Sequence, residues 1–211
     1  MNVGIIGSGV VGQQLGIGLT RLGHEVKIGT REPSKLNEWL KQVGDKASVG
    51  SDEDAAKFGE LIVLCTRWIG TENAIKLAGV SNFSDKVVMD VTNPLLPGTP
   101  PGIDASPGNS GGEKIQKWLP DSKVVKAFNI VNAYIMINPL RDDGDPDLFI
   151  CGNDKNAKNQ ITKFADGWGW KSIIDLGDIS EAYWLEALTM LWVHYGFKFN
   201  IWTHAFKLLK K

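Results

Sequence analysis

The fold is decided by one stretch near the N-terminus, Val3-Gly4-Ile5-Ile6-Gly7-Ser8-Gly9-Val10-Val11-Gly12. An apolar run leads directly into Gly-x-Gly-x-x-Gly, and three leucines then follow at helical spacing. This order predicts a strand, a glycine turn and a helix. In such a unit Gly7 allows the tight turn, Gly9 lets the backbone approach a pyrophosphate, and Gly12 lets the helix pack on the strand. The alternative is a glycine-rich turn that binds nothing, which would need one such glycine rather than three.

The second predicted strand, residues 25–29, ends in a hydroxyl and a cation. Thr30 and Arg31 follow it directly, and Lys35 begins the next helix. In domains that bind NAD this position, about 20 residues past the glycine turn, normally carries an Asp or Glu for the ribose hydroxyls. A hydroxyl and a guanidinium suit a 2′-phosphate instead, so we predict NADP(H) as the cofactor. Glu32 would oppose this if it pointed inward, and the alternative is that Arg31 and Lys35 are simply solvated.

Strands and helices alternate along most of the chain, which predicts an α/β fold with a doubly wound parallel sheet of the Rossmann type. In such sheets ligands bind beyond the carboxyl ends of the strands. Four predicted strand ends carry unusual residues: 7–12, Cys65-Thr66-Arg67-Trp68, Thr92-Asn93-Pro94 and Ala127-Phe128-Asn129. We expect them to converge on one crevice, closed by the long loop 95–112. The alternative is local, with each side chain capping a turn or packing on a helix.

The composition excludes several classes of partner. The 211 residues include 23 Lys and Arg against 24 Asp and Glu, a formal net charge of -1. That balance provides no basic surface for nucleic acid or an anionic membrane. The three histidines lack the compact spacing of a metal site, so we expect no metal. Cys65 and Cys151 lie in apolar runs typical of reduced, buried thiols, and the N-terminus lacks the features of a signal peptide, which predicts a cytoplasmic protein.

Residues 178–211 differ from the rest of the chain. Aromatic and leucine side chains crowd this segment, which we interpret as a helical tail: Trp184, Leu185, Leu188, Leu191, Trp192, Tyr195, Phe199, Trp202 and Phe206. Polar residues interrupt it, so no run approaches the roughly 20 apolar residues needed to span a bilayer. We therefore divide the chain into an NADP-binding domain at 1–177 and a helical appendage at 178–211. An exposed apolar surface of this size predicts packing on the core and a homodimer.

Five motifs spread over nearly the whole chain carry a family resemblance: the glycine turn, Gly29-Thr30-Arg31, Asp90-Val91-Thr92-Asn93-Pro94, Val124-Val125-Lys126-Ala127-Phe128-Asn129 and Ile150-Cys151-Gly152. Together they resemble the NADP oxidoreductases that depend on the deazaflavin coenzyme F(420), and the cytoplasmic domain of STEAP-type metalloreductases. The resemblance implies pyrophosphate contacts from 8–11, 2′-phosphate contacts from 30, 31 and 35, and a nicotinamide end at Trp68 and Ala127. Thr66, Arg67 and Asn93 complete the predicted cofactor site. Two features depart from the family: Arg67 stands where the deazaflavin enzymes tend to have Pro, and no membrane haem domain follows, so we expect no haem-mediated iron reduction from this chain alone.

The predicted activity is hydride transfer between NADP(H) and a small-molecule redox acceptor with a flat ring, either a deazaflavin such as F(420) or a free flavin, FMN or FAD. The four strand ends offer no His, no paired carboxylates and no Ser/Tyr/Lys set for proton transfer, and a ring acceptor can take its proton from water. The residues expected to position nicotinamide and acceptor are Trp68, Pro94, Ala127 and Phe128 as the slot, with Asn93 and Asn129 as neutral hydrogen-bonding groups. Two alternatives stay open. One is a small-substrate NADPH dehydrogenase or imine reductase, with Lys126, His194 or His204 as proton donor, and the other is a non-enzymatic NADPH-sensing protein.

Overall fold

The computed structural model describes residues 1–209, over which strands and helices alternate. The strands are β1 Asn2–Ile6, β2 Glu25–Gly29, β3 Ala47–Gly50, β4 Leu61–Leu64, β5 Val87–Asp90, β6 Leu95–Leu96, β7 Gly102–Ile103, β8 Lys123–Lys126, β9 Leu148–Gly152 and β10 Ile173–Asp175. The α-helices are α1 Val10–Arg21, α2 Asn37–Val43, α3 Asp52–Phe58, α4 Trp68–Ala78, α5 Gly111–Trp118, α6 Ala133–Met136, α7 Lys155–Trp168 and α8 Ala182–Phe199.

Eight strands form one sheet in the order β10-β9-β8-β5-β4-β1-β2-β3. β1 lies between β2 and β4 and is parallel to both, and β5 is parallel to β4 and to β8. This order confirms the predicted α/β, Rossmann-type architecture. It also brings the carboxyl ends of β1, β2, β4, β5 and β8 to one edge of the sheet. Ligands of such sheets bind at this edge, beside the point where the strand order switches direction.

One pairing departs from the predicted all-parallel sheet. β8 and β9 are antiparallel, with Val125 opposite Gly152 and Lys126 opposite Cys151, and β10 runs parallel to β9. A parallel neighbour requires a crossover that carries the chain back to the starting edge of the sheet, usually by a helix. The connection between β8 and β9 contains only the four-residue helix α6. The carboxyl ends of β9 and β10 therefore lie at the edge opposite the cleft described below.

Helices cover both faces of the sheet. One buried cluster joins Val3 and Ile5 of β1 to Leu15 of α1 and to the apolar faces of α2 and α7. The other joins Ile6 to buried side chains of α3, α4 and α5, and includes Leu185 of α8. Because α8 shares this second cluster with the strands, it packs on the same core as the rest, and the division at 177/178 stays a prediction. Within residues 1–209 no helix is both long and apolar enough to cross a membrane.

The long loop predicted at 95–112 contains regular structure. β6 and β7 pair as a short antiparallel hairpin, and α5 begins at Gly111, before the predicted end of the loop at 112. A capping box holds this start: the Ser110 hydroxyl accepts a hydrogen bond from the Glu113 N–H, and the Glu113 carboxylate accepts one from the Ser110 N–H. The sequence pattern placed the start of α5 too late because glycine disfavours helix. In the structure the capping box stabilises the first turn despite the two glycines.

The C-terminal segment is helical over only part of the predicted length. α8 ends before Asn200, whose left-handed φ of +53° is typical of a helix C-terminus. The chain then turns back along α8. Trp202 packs over Gly196, where an added Cβ would lie 2.6 Å from the indole, and His204 stacks on Trp192 with ring centroids 4.8 Å apart. The predicted helix is therefore wrong for residues 200–209, and residues 210 and 211 lie outside the described part.

Candidate functional site

A continuous cleft lies beyond the carboxyl ends of β1, β2, β4 and β5. One part, here the β2 half, has a volume of about 420 Å³ and is lined by Gly7, Ser8, Gly9, Gly29, Thr30, Arg31, Glu32, Lys35, Asp52, Cys65, Thr66, Arg67, Ile69, Gly70, Asn73, Ala74 and Leu77. The other, here the β5 half, has a volume of about 710 Å³ and is lined by Gly9, Val10, Val11, Cys65, Thr66, Arg67, Trp68, Ile69, Val91, Thr92, Asn93, Leu95, Leu96, Pro97 and Gly98. The halves share five lining residues, and each volume is typical of a small-molecule site.

The glycine turn is shaped to receive an anion. Gly7 has a φ of +123°, and a Cβ there would lie 2.8 Å from the Cys65 carbonyl. A Cβ on Gly12 would lie 2.0 Å from the Gly7 oxygen, so only glycine lets α1 start this close to β1. Gly9 faces open space and precedes α1 without a side-chain cap. The first N–H groups of α1 are thus left facing the cleft, which suits a pyrophosphate.

The β2 half contains the predicted 2′-phosphate residues. Thr30 Oγ1 accepts a hydrogen bond from the Glu32 N–H at 3.1 Å, which leaves the hydroxyl hydrogen of Thr30 available. Glu32 forms an ion pair with Lys35 at 2.5 Å, and both side chains are more than half exposed. Burial raises the pKa of the Asp52 carboxyl, and the nearby Arg31 guanidinium partly offsets the effect. Glu32 is therefore paired with Lys35, one of the two cationic side chains predicted to bind the 2′-phosphate. The other, Arg31, lies on the cleft wall.

The end of β4 provides the floor shared by both halves. The Cys65 thiol approaches the Gly7 carbonyl oxygen at 3.4 Å, and burial raises its pKa to about 12, so it is a protonated, inert thiol. The Thr66 and Thr71 hydroxyls hydrogen bond at 2.8 Å. Arg67 is the residue before α4, is exposed, and lines both halves. The three predicted residues 66–68 are thus all on the cleft wall.

Trp68 is held in place at the mouth of the β5 half. Its indole N–H donates to Asp104 at 3.2 Å, and its ring stacks on Trp118 with centroids 5.7 Å apart. Lys114 forms an ion pair with the same Asp104 carboxylate at 2.9 Å. Hydrogen bonds from Lys114 and Trp68 lower the pKa of Asp104. The loop that carries Asp104 is therefore attached to both α4 and α5, and its first arm, 95–98, forms one wall of the cleft.

The end of β8 does not line the cleft as predicted. Ala127 is fully buried, and its N–H donates to the Asp90 carbonyl in the sheet. Phe128 is 1% exposed, and its ring lies 5.4 Å from Trp168 and 6.0 Å from Trp170. Its φ of +60°, rare for a bulky residue, turns the chain at the strand end. Both side chains belong to the core, and the predicted role of Ala127 and Phe128 in shaping the slot is corrected accordingly.

The two predicted asparagines bind each other rather than the open cleft. Asn93 Nδ2 donates to the Asn129 carbonyl at 2.8 Å, and Asn129 Nδ2 donates to Asn93 Oδ1 at 3.0 Å. The Thr189 hydroxyl of α8 lies 3.0 Å from the same Oδ1. Pro94 is buried and packs against Gly111, where an added Cβ would lie 3.3 Å from the proline ring. Of these residues only Asn93 lines the cleft, and the others support it from behind.

A buried ionic triad lies behind the end of β5. The fully buried Lys126 ammonium lies 2.7 Å from Asp90 Oδ2 and 2.9 Å from Glu186 Oε1, and donates to the Thr92 carbonyl at 2.8 Å. Burial favours the neutral amine, but the two carboxylates outweigh it and raise the pKa of Lys126. The triad thus joins two carboxylates, but Asp90 comes from β5 and Glu186 from α8, and neither belongs to the four strand ends considered from the sequence. Lys126 is also a poor proton donor, because its pKa lies far above neutral.

The other predicted proton donors lie away from the cleft. Both ring nitrogens of His204 contact backbone carbonyls, of Ile201 at 2.9 Å and of Trp192 at 3.0 Å, and His194 is exposed on α8. Sequence reasoning missed the triad because its members are far apart in sequence. One signal was available: Gly111 and Gly112 begin α5, and a pair of glycines at a helix start indicates that another side chain, here Glu186, approaches the backbone closely. Within residues 1–209 no group of three or more His, Cys, Asp or Glu could hold a metal ion.

Sequence comparisons identify several relatives of the chain. A family described as NADP oxidoreductase, coenzyme F(420)-dependent, matches residues 2–94. The F(420)-dependent NADP reductase of Methanocaldococcus jannaschii is 30% identical over 214 residues, which cover 95% of this chain and 94% of that protein. The human metalloreductase STEAP2 is 31% identical over 192 residues, covering 90% of this chain and 36% of that protein. The chain thus spans about a third of the metalloreductase.

Solved structures place the fold in the same group. A candidate F(420)-dependent NADP-reductase from an Arthrobacter species has a TM-score of 0.93 and 34% identity, with 100% of both chains covered. An imine reductase from Streptomyces aurantiacus has a TM-score of 0.68 and 16% identity over 90% of this chain and 61% of that one, a likeness of fold alone. Because the identity to the M. jannaschii reductase extends over nearly the full length of both proteins, the chain belongs to the coenzyme F(420)-dependent NADP oxidoreductases and is an NADP-dependent oxidoreductase.

Proposed function

We propose that NADP(H) lies along the whole cleft, with its 2′-phosphate in the β2 half and its nicotinamide in the β5 half. Thr30 and Arg31 would hold the phosphate by a hydroxyl and a guanidinium. The N–H groups at the start of α1 would bind the pyrophosphate, since Gly9 leaves the approach open. Thr66, Arg67 and Asn93 then line the path to the nicotinamide.

We propose that the acceptor of the hydride is a flat conjugated ring, a deazaflavin such as F(420) or a flavin. The observation that supports this is the lining of the β5 half, whose titratable side chains are those of Cys65 and Arg67. The thiol has a pKa of about 12 and a guanidinium stays charged, so neither exchanges a proton near neutral pH. Reduction of a ketone needs a placed proton donor. A conjugated ring distributes the arriving charge and takes its proton from water.

Apolar side chains in the walls of the β5 half support the proposal of a ring acceptor. Val10, Ile69 and Leu96 line it and are 53%, 85% and 45% exposed, so apolar surface remains available beside the nicotinamide site. NADPH supplies the hydride when bound, and the protein's part is to orient the two rings and exclude water. An iminium substrate brings its own proton and would satisfy the same lining, which makes an imine the main competitor.

The test is NADPH oxidation by the purified protein, followed by absorbance, with F(420), FMN, FAD, riboflavin, a quinone and a cyclic imine as acceptors. We expect turnover with at least one deazaflavin or flavin. Turnover with the imine and none with any ring would replace the proposal with the small-substrate activity. Tight NADPH binding without any turnover would favour a sensing protein instead.

A matched pair of variants locates the acceptor. Leu96→Trp fills the apolar side of the β5 half, and Leu140→Trp makes the same change at a leucine that is 55% exposed and does not line the cleft. We expect Leu96→Trp to lower turnover about tenfold or more while the NADPH dissociation constant stays within about twofold, since loss of one positioned reactant costs this order of rate. Equal activity of the two variants would place the acceptor elsewhere.

We also propose that the protein is a homodimer joined through one face of α8. Trp184 and Leu191 are each 58% exposed and Tyr195 is 41% exposed, and their spacing puts them on one side of the helix. Contiguous apolar surface of this kind marks interfaces, and a net charge of -1 gives little repulsion between copies. Light scattering should give twice the mass of the chain for the wild type and for Leu140→Arg, and the mass of one chain for Leu191→Arg. A wild-type monomer at micromolar concentration would refute the dimer.

A further inference from the structure

The Asp90–Lys126–Glu186 triad holds both backbone groups of one residue in the cleft wall. Asp90 Oδ1 accepts hydrogen bonds from the Thr92 N–H at 2.8 Å and from its hydroxyl at 2.7 Å. Lys126 donates to the Thr92 carbonyl at 2.8 Å. Thr92 itself lines the β5 half. The triad is therefore one residue removed from the space proposed for the nicotinamide, with all three charged side chains fully buried.

The third member also binds the start of α5. Glu186 accepts hydrogen bonds from the Gly111 N–H at 2.9 Å and from the Gly112 N–H at 3.0 Å. A Cβ on Gly111 would lie 2.9 Å from the Glu186 oxygen, which explains a glycine at this point of a helix. Two carboxylates against one ammonium give the triad a net charge of -1, and the positive end of α5 offsets only part of it. A negative excess thus remains buried beside the cleft.

We propose that this buried negative charge stabilises bound NADP⁺ relative to bound NADPH and so favours hydride transfer from NADPH to the acceptor. Oxidised nicotinamide carries one positive charge more than the reduced form, because the hydride removes two electrons and a proton to the ring acceptor. A fixed negative charge nearby lowers the energy of the cation, and low dielectric strengthens the effect. The proposal rests on the nicotinamide lying in the β5 half.

The alternative reading of the triad is that it only stabilises the fold. Buried ion pairs contribute little net stability, because the cost of removing charges from water cancels most of their attraction. A structural role would weaken both cofactor forms equally when the triad is changed. An electrostatic role changes the ratio of the NADP⁺ and NADPH dissociation constants, which is linked to the reduction potential of the bound couple.

The test is the pair Glu186→Gln and Glu113→Gln in the full chain, with both dissociation constants measured by calorimetry. Each variant removes a carboxylate from the start of α5, but only Glu186 contacts Lys126. We expect the NADP⁺ to NADPH ratio of dissociation constants to rise about threefold or more in Glu186→Gln, the size given by one charge at roughly 10 Å in a partly screened site. In Glu113→Gln the ratio should stay at the wild-type value.

An unchanged ratio in Glu186→Gln, or equal weakening of both forms, would overturn the proposal. If that variant unfolds, Asp90→Asn makes the same charge change from the strand side and must shift the ratio in the same direction. The wild type provides a further test, since binding NADP⁺ tenfold or more weakly than NADPH would also refute a negative bias. Failure of the wild type to bind either form would instead refute the proposed function.

Discussion

Replacing Arg31 with alanine should remove most of the preference of this protein for NADPH over NADH. Arg31 lies on the wall of the β2 half beside the Thr30 hydroxyl, and its guanidinium is close enough to Asp52 to affect the pKa of that carboxyl. Lys35 is also on this wall, but its ammonium is already paired with Glu32 at 2.5 Å. We therefore propose that Arg31 makes the main contact with a 2′-phosphate.

The magnitude follows from one lost charge-assisted contact. Such a hydrogen bond is worth about 1.5–3 kcal/mol, and about 1.4 kcal/mol is tenfold in an equilibrium constant. Arg31→Ala should therefore weaken NADPH binding about 10- to 150-fold. NADH lacks the 2′-phosphate, and so its dissociation constant should stay within about twofold.

Calorimetric titration of both dinucleotides measures the effect directly. Arg21→Ala is the matched control, because Arg21 is in the last turn of α1, at the opposite end of the helix from the glycine turn. We expect the control to bind both dinucleotides as the wild type does. An Arg31→Ala variant with an unchanged NADPH to NADH ratio would refute the assignment, and equal weakening of both would show that Arg31 supports the fold rather than the phosphate.

Three further outcomes test the site. Glu32→Gln should tighten NADPH binding a few fold in the same titration, since it frees the Lys35 ammonium from its ion pair, and weaker binding would contradict this. Gly12→Ala should lower the melting temperature by about 2–12 °C, because its methyl would lie 2.0 Å from the Gly7 oxygen and overpacking costs about 1–3 kcal/mol; an unchanged melt would disprove the close contact. Cys65 is half-buried on the cleft floor with a pKa raised to about 12, so it should react with a disulfide reagent at mildly alkaline pH much more slowly in the folded protein than after denaturation, and equally rapid labelling of the folded protein would refute the raised pKa.

The β2 half of the cleft was predictable because its determinants are local in sequence. A strand, a glycine turn and a helix form within the first 21 residues, and Thr30-Arg31 directly follows the second strand. Parallel pairing of β1 and β2 then brings the carboxyl ends of both strands together, independently of the remaining chain. The direction of β9 was not predictable in this way, since the apolar pattern of a strand is the same in both directions.

The surroundings of the β5 half were harder to predict because their determinants are distant in sequence. Lys126 ends a strand that reads Lys123-Val-Val-Lys126, and such a lysine is most often solvated. Its burial depends on Asp90 and Glu186, which come from another strand and from the last helix. Phe128 follows the same strand and was expected in the slot, but its left-handed backbone turns the chain and its ring packs in the core. No local pattern encodes either arrangement.

The two faces of α8 have different surroundings. Its inner face carries Glu186 and Thr189, three residues apart, which reach the triad and the Asn93–Asn129 pair behind the cleft. Its outer face exposes Trp184 and Leu191. Residues three or four apart share one face of a helix, so substitutions on the two faces should have separable effects. Changes on the outer face should alter the oligomeric state and leave cofactor affinity intact, whereas Glu186→Gln on the inner face should alter the balance between oxidised and reduced cofactor in a protein whose mass is unchanged.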